Sequence, residues 1–403
     1  YYGQWLPNTA LVKFHPSGKH ALDGLAYLGR GALPAAPFLA LAAAAAAACL
    51  RRNPRGARVV LPLTLAAAWA SYVAAIGGDI FPAWRHFVPL LLLLAFVLAE
   101  GGALLARRAG GRAFAVVMLA GALALGLFAY LQREDDENFR AISERWEWDA
   151  EVIGTLLKRA FAAEQPLMAV DPAGGLPFWS ELPALDMLGL NDLHLPRHPP
   201  PDLGQGPIAH ELGDGRYVLS RRPDLVVFLL PTGNDHGYFL SGRQMQQDPR
   251  FFRDYTLVRF EGREPYRAVA RIWVRRESER IGIRRGPGRV TVPGFLVCDN
   301  HASVARLGRD GRLVVPVAPD LPAILNRLEL PAGRWRVEAD ASPPSTQLRV
   351  SAPQTDNVPA PFLLDARLPA VLDWGGGPAR VELLAPDGRE VEVHGLTFTR
   401  VDE

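Results

Sequence analysis

Four stretches of this chain are too long and too apolar to belong to an ordinary water-soluble fold: residues 32–50, 59–76, 87–106 and 113–131. Crossing roughly 30 Å of hydrocarbon takes about 20 apolar residues in a helix. The first, second and fourth stretches carry no charge, and the first is mostly alanine. The third contains Glu100, close to the end where Arg107 and Arg108 stand and where a carboxylate can reach interfacial water. Together they predict a polytopic α-helical membrane bundle with at least four spans in this chain.

The connections between the stretches set an orientation. Arg51, Arg52, Arg55 and Arg58 crowd the first link, and Arg107, Arg108 and Arg112 the third, while residues 77–86 hold one Asp, one Arg and one His. Basic loops stay cytoplasmic. Residues 1–30, residues 77–86 and everything from 132 onward are therefore expected outside. The chain opens Tyr1-Tyr2-Gly3 without an initiator Met, and its first residues are already outside. It thus reads as the C-terminal portion of a longer protein.

The expected organisation is an extracytoplasmic loop with a short amphipathic helix at 1–30, membrane helices at 31–131, an extracytoplasmic α/β region at 132–280, and a β-sandwich at 281–403. Apolar positions from Trp148 to Phe161 recur at three- and four-residue intervals, which predicts a helix over 146–163. Short apolar runs at 167–170, 225–230 and 255–259 predict strands. Alternation at 334–339, 347–351, 379–384 and 390–394, with turn pairs Asp310-Gly311 and Asp387-Gly388, predicts the sandwich. Residues 323–328, which follow a proline, have helical character and are the expected exception. A net charge of +2 without long basic runs argues against a nucleic-acid partner. Cys49 lies in the first span and Cys298 outside, so the two are not expected to pair.

Three polar clusters fall on the expected outer side. The first is Tyr1-Tyr2-Gly3-Gln4-Trp5-Leu6-Pro7-Asn8-Thr9-Ala10-Leu11-Val12-Lys13, whose aromatic, amide and lysine groups suit either a sugar and lipid phosphate or an interfacial aromatic belt. The second is Gly77-Gly78-Asp79-Ile80-Phe81-Pro82-Ala83-Trp84-Arg85-His86. There Arg85 can fork onto a phosphate, Asp79 can bind sugar hydroxyls or orient the arginine, and the glycines permit close ligand approach. A tight loop closed by a structural Asp–Arg pair is the alternative. The third holds Asp171, Asp186, Gly189, Asn191 and Asp192, residue types that also cap turns through their side chains. His194, His198 and His210 are too loosely spaced to argue for zinc. Neither a nucleotide-type phosphate loop nor a Gly-x-Ser-x-Gly elbow is present.

In order and sidedness, these clusters resemble bacterial multi-spanning glycosyltransferases of the GT-C superfamily, nearest to the terminal arabinofuranosyltransferase type. The resemblance rests on Tyr1 to Lys13, on Gly77-Gly78-Asp79 with Pro82 and Arg85, and on Leu185-Asp186-Met187-Leu188-Gly189-Leu190-Asn191-Asp192. It covers about residues 1–260. It implies inverting transfer of a sugar from a polyprenyl-phosphate donor to a cell-envelope glycan, at the outer face of the cytoplasmic membrane, with no further cofactor. It also implies that the general base lies in an outer loop upstream of Tyr1. Tyr2, Asn8, Lys13, Asp79, Arg85, His86, Asp186, Asn191 and Asp192 are the residues expected to bind donor or substrate. The rival expectation is a non-catalytic, membrane-anchored protein that binds glycan or scaffolds the envelope.

Overall fold

The computed structural model describes residues 5–13, 15, 17–51, 56–108, 110–171, 173–298, 303–342, 345–352, 362–365, 370–385 and 390–401. Tyr2 and the Asp387-Gly388 pair lie outside them. The chain forms two compact units, Tyr1–Arg145 with Pro199–Glu211, and Trp146–His198 with Leu212–Glu403.

The first unit is helical: α1 (Asn8–Lys13), α2 (Gly18–Leu50), α3 (Gly56–Ala75), α4 (Phe87–Arg108), α5 (Gly111–Arg133) and α6 (Asp136–Ser143). Four of these, α2 to α5, are long and apolar enough to cross a membrane. The amphipathic piece expected near residues 20–28 is not a separate helix but the opening turns of α2. Ser17 caps that helix by accepting from the His20 amide, and Pro34 and Pro37 are carried inside it. Small residues let the helices close on one another. A β-carbon on Gly24 would lie 2.3 Å from the Ala74 carbonyl oxygen, and one on Gly101 would lie 2.5 Å from Ala45 Cβ. Tyr27, Ala35, Val73, Trp84, Phe87 and Leu90 form one buried cluster, and Cys49, Val59, Val97 and Leu104 another.

The second unit opens with α7 (Trp146–Phe161), close to the range its periodicity predicts; it buries Val152, Ile153, Leu156, Leu157 and Phe161. Next come β1 (Met168–Val170), α8 (Gly175–Ser180), β2 (Ala184–Asp186), α9 (Gly215–Ser220), β3 (Leu225–Val227), α10 (Leu240–Gln247), α11 (Pro249–Asp254), β4 (Tyr255–Gly262) and β5 (Ala268–Arg275). β1 is flanked by β2 and β3, both parallel to it, and β5 and β4 continue the sheet antiparallel.

Beyond this region come β6 (Arg284–Gly286), β7 (Arg289–Pro293), β8 (Ala305–Leu307), β9 (Leu313–Val317), β10 (Ala323–Leu330), β11 (Gly333–Ser342), β12 (Ser345–Ser351), β13 (Phe362–Asp365), β14 (Ala370–Trp374), β15 (Gly377–Leu384) and β16 (Val391–Arg400). The boundary expected at 280/281 does not separate two units. β4 pairs with β8, and through β9, β16, β11 and β14 one sheet of 12 strands runs across it. A second sheet, in the order β10-β15-β12-β13, shares a single apolar cluster with α7 and the larger sheet.

Residues 323–328 are strand, not the helical exception. Leu325 and Leu328 are both fully buried in β10, and a register shift between them replaces a two-residue step by three. A bulge thus imitates helical spacing in the sequence. The Asp310-Gly311 pair does make the turn between β8 and β9, with Gly311 at φ +79°.

Candidate functional site

The loop between α3 and α4 begins where α3 stops. Gly77 donates its amide to the Ala74 carbonyl and Gly78 to the Val73 carbonyl, with φ of +90° and +87°. These bonds form a Schellman end, which needs a left-handed residue just past the helix. A β-carbon on Gly78 would also sit 2.6 Å from Tyr27 Cβ. The helix end and its packing therefore account for the glycine pair without a ligand.

Asp79 organises the rest of the loop. Its Oδ1 accepts from the amides of Ile80 at 2.9 Å and Phe81 at 3.3 Å. Arg85 donates Nη2 to Oδ1 at 3.0 Å and Nε to Oδ2, a two-point pair. His86 Nε2 stands 3.7 Å from Oδ2. The Asp79 side chain is only 5% exposed whereas Arg85 is 52% exposed, so the acid is structural floor and the guanidinium is accessible. The Arg85 guanidinium also lies over the Phe81 ring, 4.4 Å from its centroid.

The turn back into α4 is strained. Ala83 and Trp84 adopt φ of +67° and +49°, a left-handed region that costs a residue with a β-carbon about 1–2 kcal/mol. Neighbours hold it there. Trp84 Nε1 donates to Asp135 Oδ1 at 2.8 Å, and Arg140 Nη2 donates to the Ile80 carbonyl at 3.1 Å. Asp135 simultaneously caps α6.

A cleft of about 710 Å³ opens beside this loop, lined by Thr9, Ala10 and Lys13 of α1, by Tyr72 and Ile76, by Gly78 to Phe81, by Arg85 and His86, and by Ile208 and Ala209. Residues 199–211 reach it because they fold onto the first unit. Ser17 Oγ donates to the Gly204 carbonyl at 2.8 Å and Lys19 Nζ to the Gly206 carbonyl at 3.2 Å, while within the segment Glu211 Oε1 accepts from the amides of Gly204 and Gly206. Burial holds the His86 imidazole below its ordinary range, against the opposing pull of Asp79, while Arg85 and Lys13 depress it further. Burial lowers His210 likewise, with Lys13 adding to the effect. Both rings are thus neutral at neutral pH, and Lys13 and Arg85 supply the positive charge.

Lys13, Asp79, Arg85 and His86 therefore line one cleft, and half-buried Asn8 begins the helix that carries Lys13. Asp186, Asn191 and Asp192 lie in the second unit, in a tightly bonded turn. Asp186 Oδ1 accepts from the amides of Leu188 and Gly189, and its Oδ2 from the Asn191 amide at 2.8 Å. Asp192 accepts from the amides of His194 and Leu195 and from the Tyr217 hydroxyl. This is the turn-capping use of Asp side chains. His194 stacks between His198 and Tyr217 at 4.0 Å on each side and meets Asp214 at 3.1 Å. Burial works to raise Asp214, but hydrogen bonds from the Tyr217 amide and His194 hold it below the usual range.

Asp171, just past β1, is buried and accepts the Leu229 amide at 2.8 Å on Oδ2, while its Oδ1 has no hydrogen-bond partner among the described residues. Burial pushes its pKa up to about 7, against the Leu229 hydrogen bond and with Asp186 contributing. Burial raises Asp186 as well, although three backbone amides oppose the shift.

Sequence reasoning missed the contribution of Ile208 and Ala209 to the cleft, and the one local signal was the proline run Pro199-Pro200-Pro201 that precedes them. It also missed a cleft of about 580 Å³ in the second unit whose lining includes six arginines, drawn from residues 222 to 327 with no run to betray them. A family model described as "Domain of unknown function (DUF8728)" matches residues 138–286, the stretch from α6 to β6. No curated protein matches the chain.

Proposed function

We propose that this chain is the membrane and outer portion of a GT-C type glycosyltransferase, and that the cleft beside Asp79 and Arg85 holds the phosphate of a polyprenyl-linked sugar donor. The observation that carries the reading is the company Lys13 and Arg85 keep. Two accessible cations share one concave space with Tyr72, Ile76, Phe81 and Ile208, where two membrane-length helices meet their connecting loop. That mixture suits an amphiphile with an anionic head. With Nε and Nη2 given to Asp79, the guanidinium retains donors on Nη1 for a phosphate. A phosphate leaving group gains charge as the glycosidic bond breaks, and fixed cations in a partly dry cleft favour that change.

The lipid setting is supported by α5, which has no buried residue while Val116, Leu119 and Leu123 are each about two-thirds exposed. An apolar face of that length suits hydrocarbon. In this reading the arginine loops are cytoplasmic, and the second unit, with its two sheets packed as a sandwich at the C-terminal end, stands outside. A cysteine placed at Arg55 in a Cys-free background should resist a membrane-impermeant maleimide on intact cells, whereas one at Phe81 should label. The reverse pattern would remove the topology.

One observation favours a second reading, a membrane protein that binds a lipid-linked sugar without transferring it. Asp79 is the only carboxylate lining the cleft among the described residues, and Arg85 and two amides already engage it. Asp79 is accordingly assigned to architecture and not to proton transfer. Purified protein in lipid nanodiscs, supplied with polyprenyl-phosphate sugar and a glycan acceptor, separates the two readings by turnover. Arg85→Lys should lower transfer and donor affinity by about tenfold or more, since a charge-assisted hydrogen bond contributes about 1.5–3 kcal/mol and lysine cannot fork. Donor affinity unchanged in both Arg85→Lys and Arg85→Ala would take Arg85 out of the site.

A further inference from the structure

We infer that the second unit carries a separate binding site for an acidic saccharide, in the arginine-lined cleft between α11 and the strands β4, β5 and β10. The inference stands independently of the donor site and of sugar transfer. Arg222, Arg250, Arg253, Arg275, Arg276 and Arg327 line this cleft of about 580 Å³, a size within the roughly 300–1,000 Å³ of small-molecule sites. Three carboxylates, Asp254, Glu277 and Glu329, are interleaved with them, so the lining is net positive.

The arginines differ in what holds them. Arg275 is the fixed base: its Nη2 donates to buried Asp224 at 2.6 Å, and its own Nε is buried with no partner among the described residues. Arg250, Arg253 and Arg327 are each about two-thirds exposed and, among the described residues, pair with a carboxylate one or two positions away, Asp248, Asp254 and Glu329. Asp254 and Glu329 are themselves exposed, and exposed pairs contribute little, so Arg253 and Arg327 can turn to an arriving oxyanion at small cost, whereas Arg250 is held more firmly by Asp248. Arg222 is exposed and has no ion pair among the described residues. Several planar forks facing one space suit carboxylate or phosphate oxygens, and the interleaved acids can accept from sugar hydroxyls. A membrane surface is the less suitable occupant, because among the described residues the apolar lining consists of Leu219, Tyr255 and Ile283, of which the last two are buried.

Calorimetric titration of the full chain in phosphatidylcholine nanodiscs tests this with four probes: trigalacturonic acid, glucose 1-phosphate, neutral maltotriose, and vesicles of phosphatidylglycerol. Binding of trigalacturonate, of the sugar phosphate or of both, weakening as salt is raised, is expected, and the preferred probe assigns the oxyanion as carboxylate or phosphate. The triple variant Arg222→Ala, Arg253→Ala, Arg327→Ala should bind about tenfold or more weakly. The charge-matched triple Arg243→Ala, Arg289→Ala, Arg336→Ala, all exposed and outside the cleft, should bind like the parent. Changing Arg222, Arg253 and Arg327 to Lys preserves charge and fold and should still weaken binding by about threefold or more, since the fork is lost. Equal loss in the two alanine triples, equal affinity for maltotriose, or binding to the vesicles alone would overturn the assignment.

Discussion

Asp186→Ala is expected to destabilise the second unit by on the order of 3–5 kcal/mol, a large effect for one side chain. The reason is the number of donors that one carboxylate satisfies. Leu188 and Gly189, both buried, give their amides to Oδ1, and exposed Asn191 gives its amide to Oδ2. Removing the acceptor strands the Leu188 and Gly189 amides away from water, and each buried orphan costs about 1–3 kcal/mol. Asp186→Asn keeps one oxygen for Leu188 and Gly189 but turns an amide donor towards the Asn191 N–H, so an intermediate loss of about 1–3 kcal/mol is expected. Chemical unfolding monitored through buried Trp273, together with hydrogen exchange across residues 187–195, would measure both. In the proposed transfer reaction, turnover per folded molecule should hold in Asp186→Asn if the residue serves the turn. Wild-type exchange rates in Asp186→Ala would show that the turn does not rest on this carboxylate.

Stability of the parallel sheet should fall as pH rises from about 4 to about 7, and Asp171 is the reason. Its carboxyl titrates near the ordinary 3.8 in the unfolded chain but at about 7 in the fold, because burial disfavours the charged form. Between those values the folded state holds a proton that the unfolded state has released, so raising pH favours unfolding. Below about pH 4 both states are protonated and no penalty applies; above about pH 7 the penalty is complete, on the order of 4 kcal/mol. Asp186, raised in the same direction, adds to the slope. Exposed paired carboxylates such as Asp310 are held below their usual range and act at lower pH with the opposite sign. A local readout is therefore needed, and the amides of Ala169 and Val226, in adjacent strands β1 and β3, provide it. Their exchange protection, corrected for the intrinsic pH dependence, should drop between about pH 4 and pH 7 in the wild type and stay level in Asp171→Asn. Equal slopes in the two proteins would rule out Asp171 as the origin.

In the sequence, Asp186, Asn191 and Asp192 look the same whether they grip a sugar or cap a turn, because Asp and Asn side chains serve both ends with the same oxygens. Only the partners separate the uses, and those partners are backbone amides two to five residues away, joined on Asp192 by the Tyr217 hydroxyl. The paired glycines of the α3–α4 loop behave alike: left-handed φ is needed by a helix end and by a ligand loop equally. Asp79 and Arg85 were legible as a pair because an acid six residues from an arginine in a short loop at a helix mouth has few other partners. Which of the two remains accessible was not, since exposure depends on how Trp84, Asp135 and Arg140 hold the turn.

What the sequence determined by itself is what repeats along it. The four membrane-length helices, the amphipathic α7 and most strands follow from the spacing of apolar residues, a local property set by helical and strand geometry. What only the tertiary structure decided is what depends on distant segments meeting. Residues 199–211 join the first unit through bonds from Ser17 and Lys19, and the sheet crosses residue 280 without interruption. The second cleft draws its arginines from residues 222 to 327 into one space. Chain periodicity carries no record of such meetings, because a side chain's neighbours across a fold are chosen by packing and by satisfaction of buried polar groups, not by its distance along the chain.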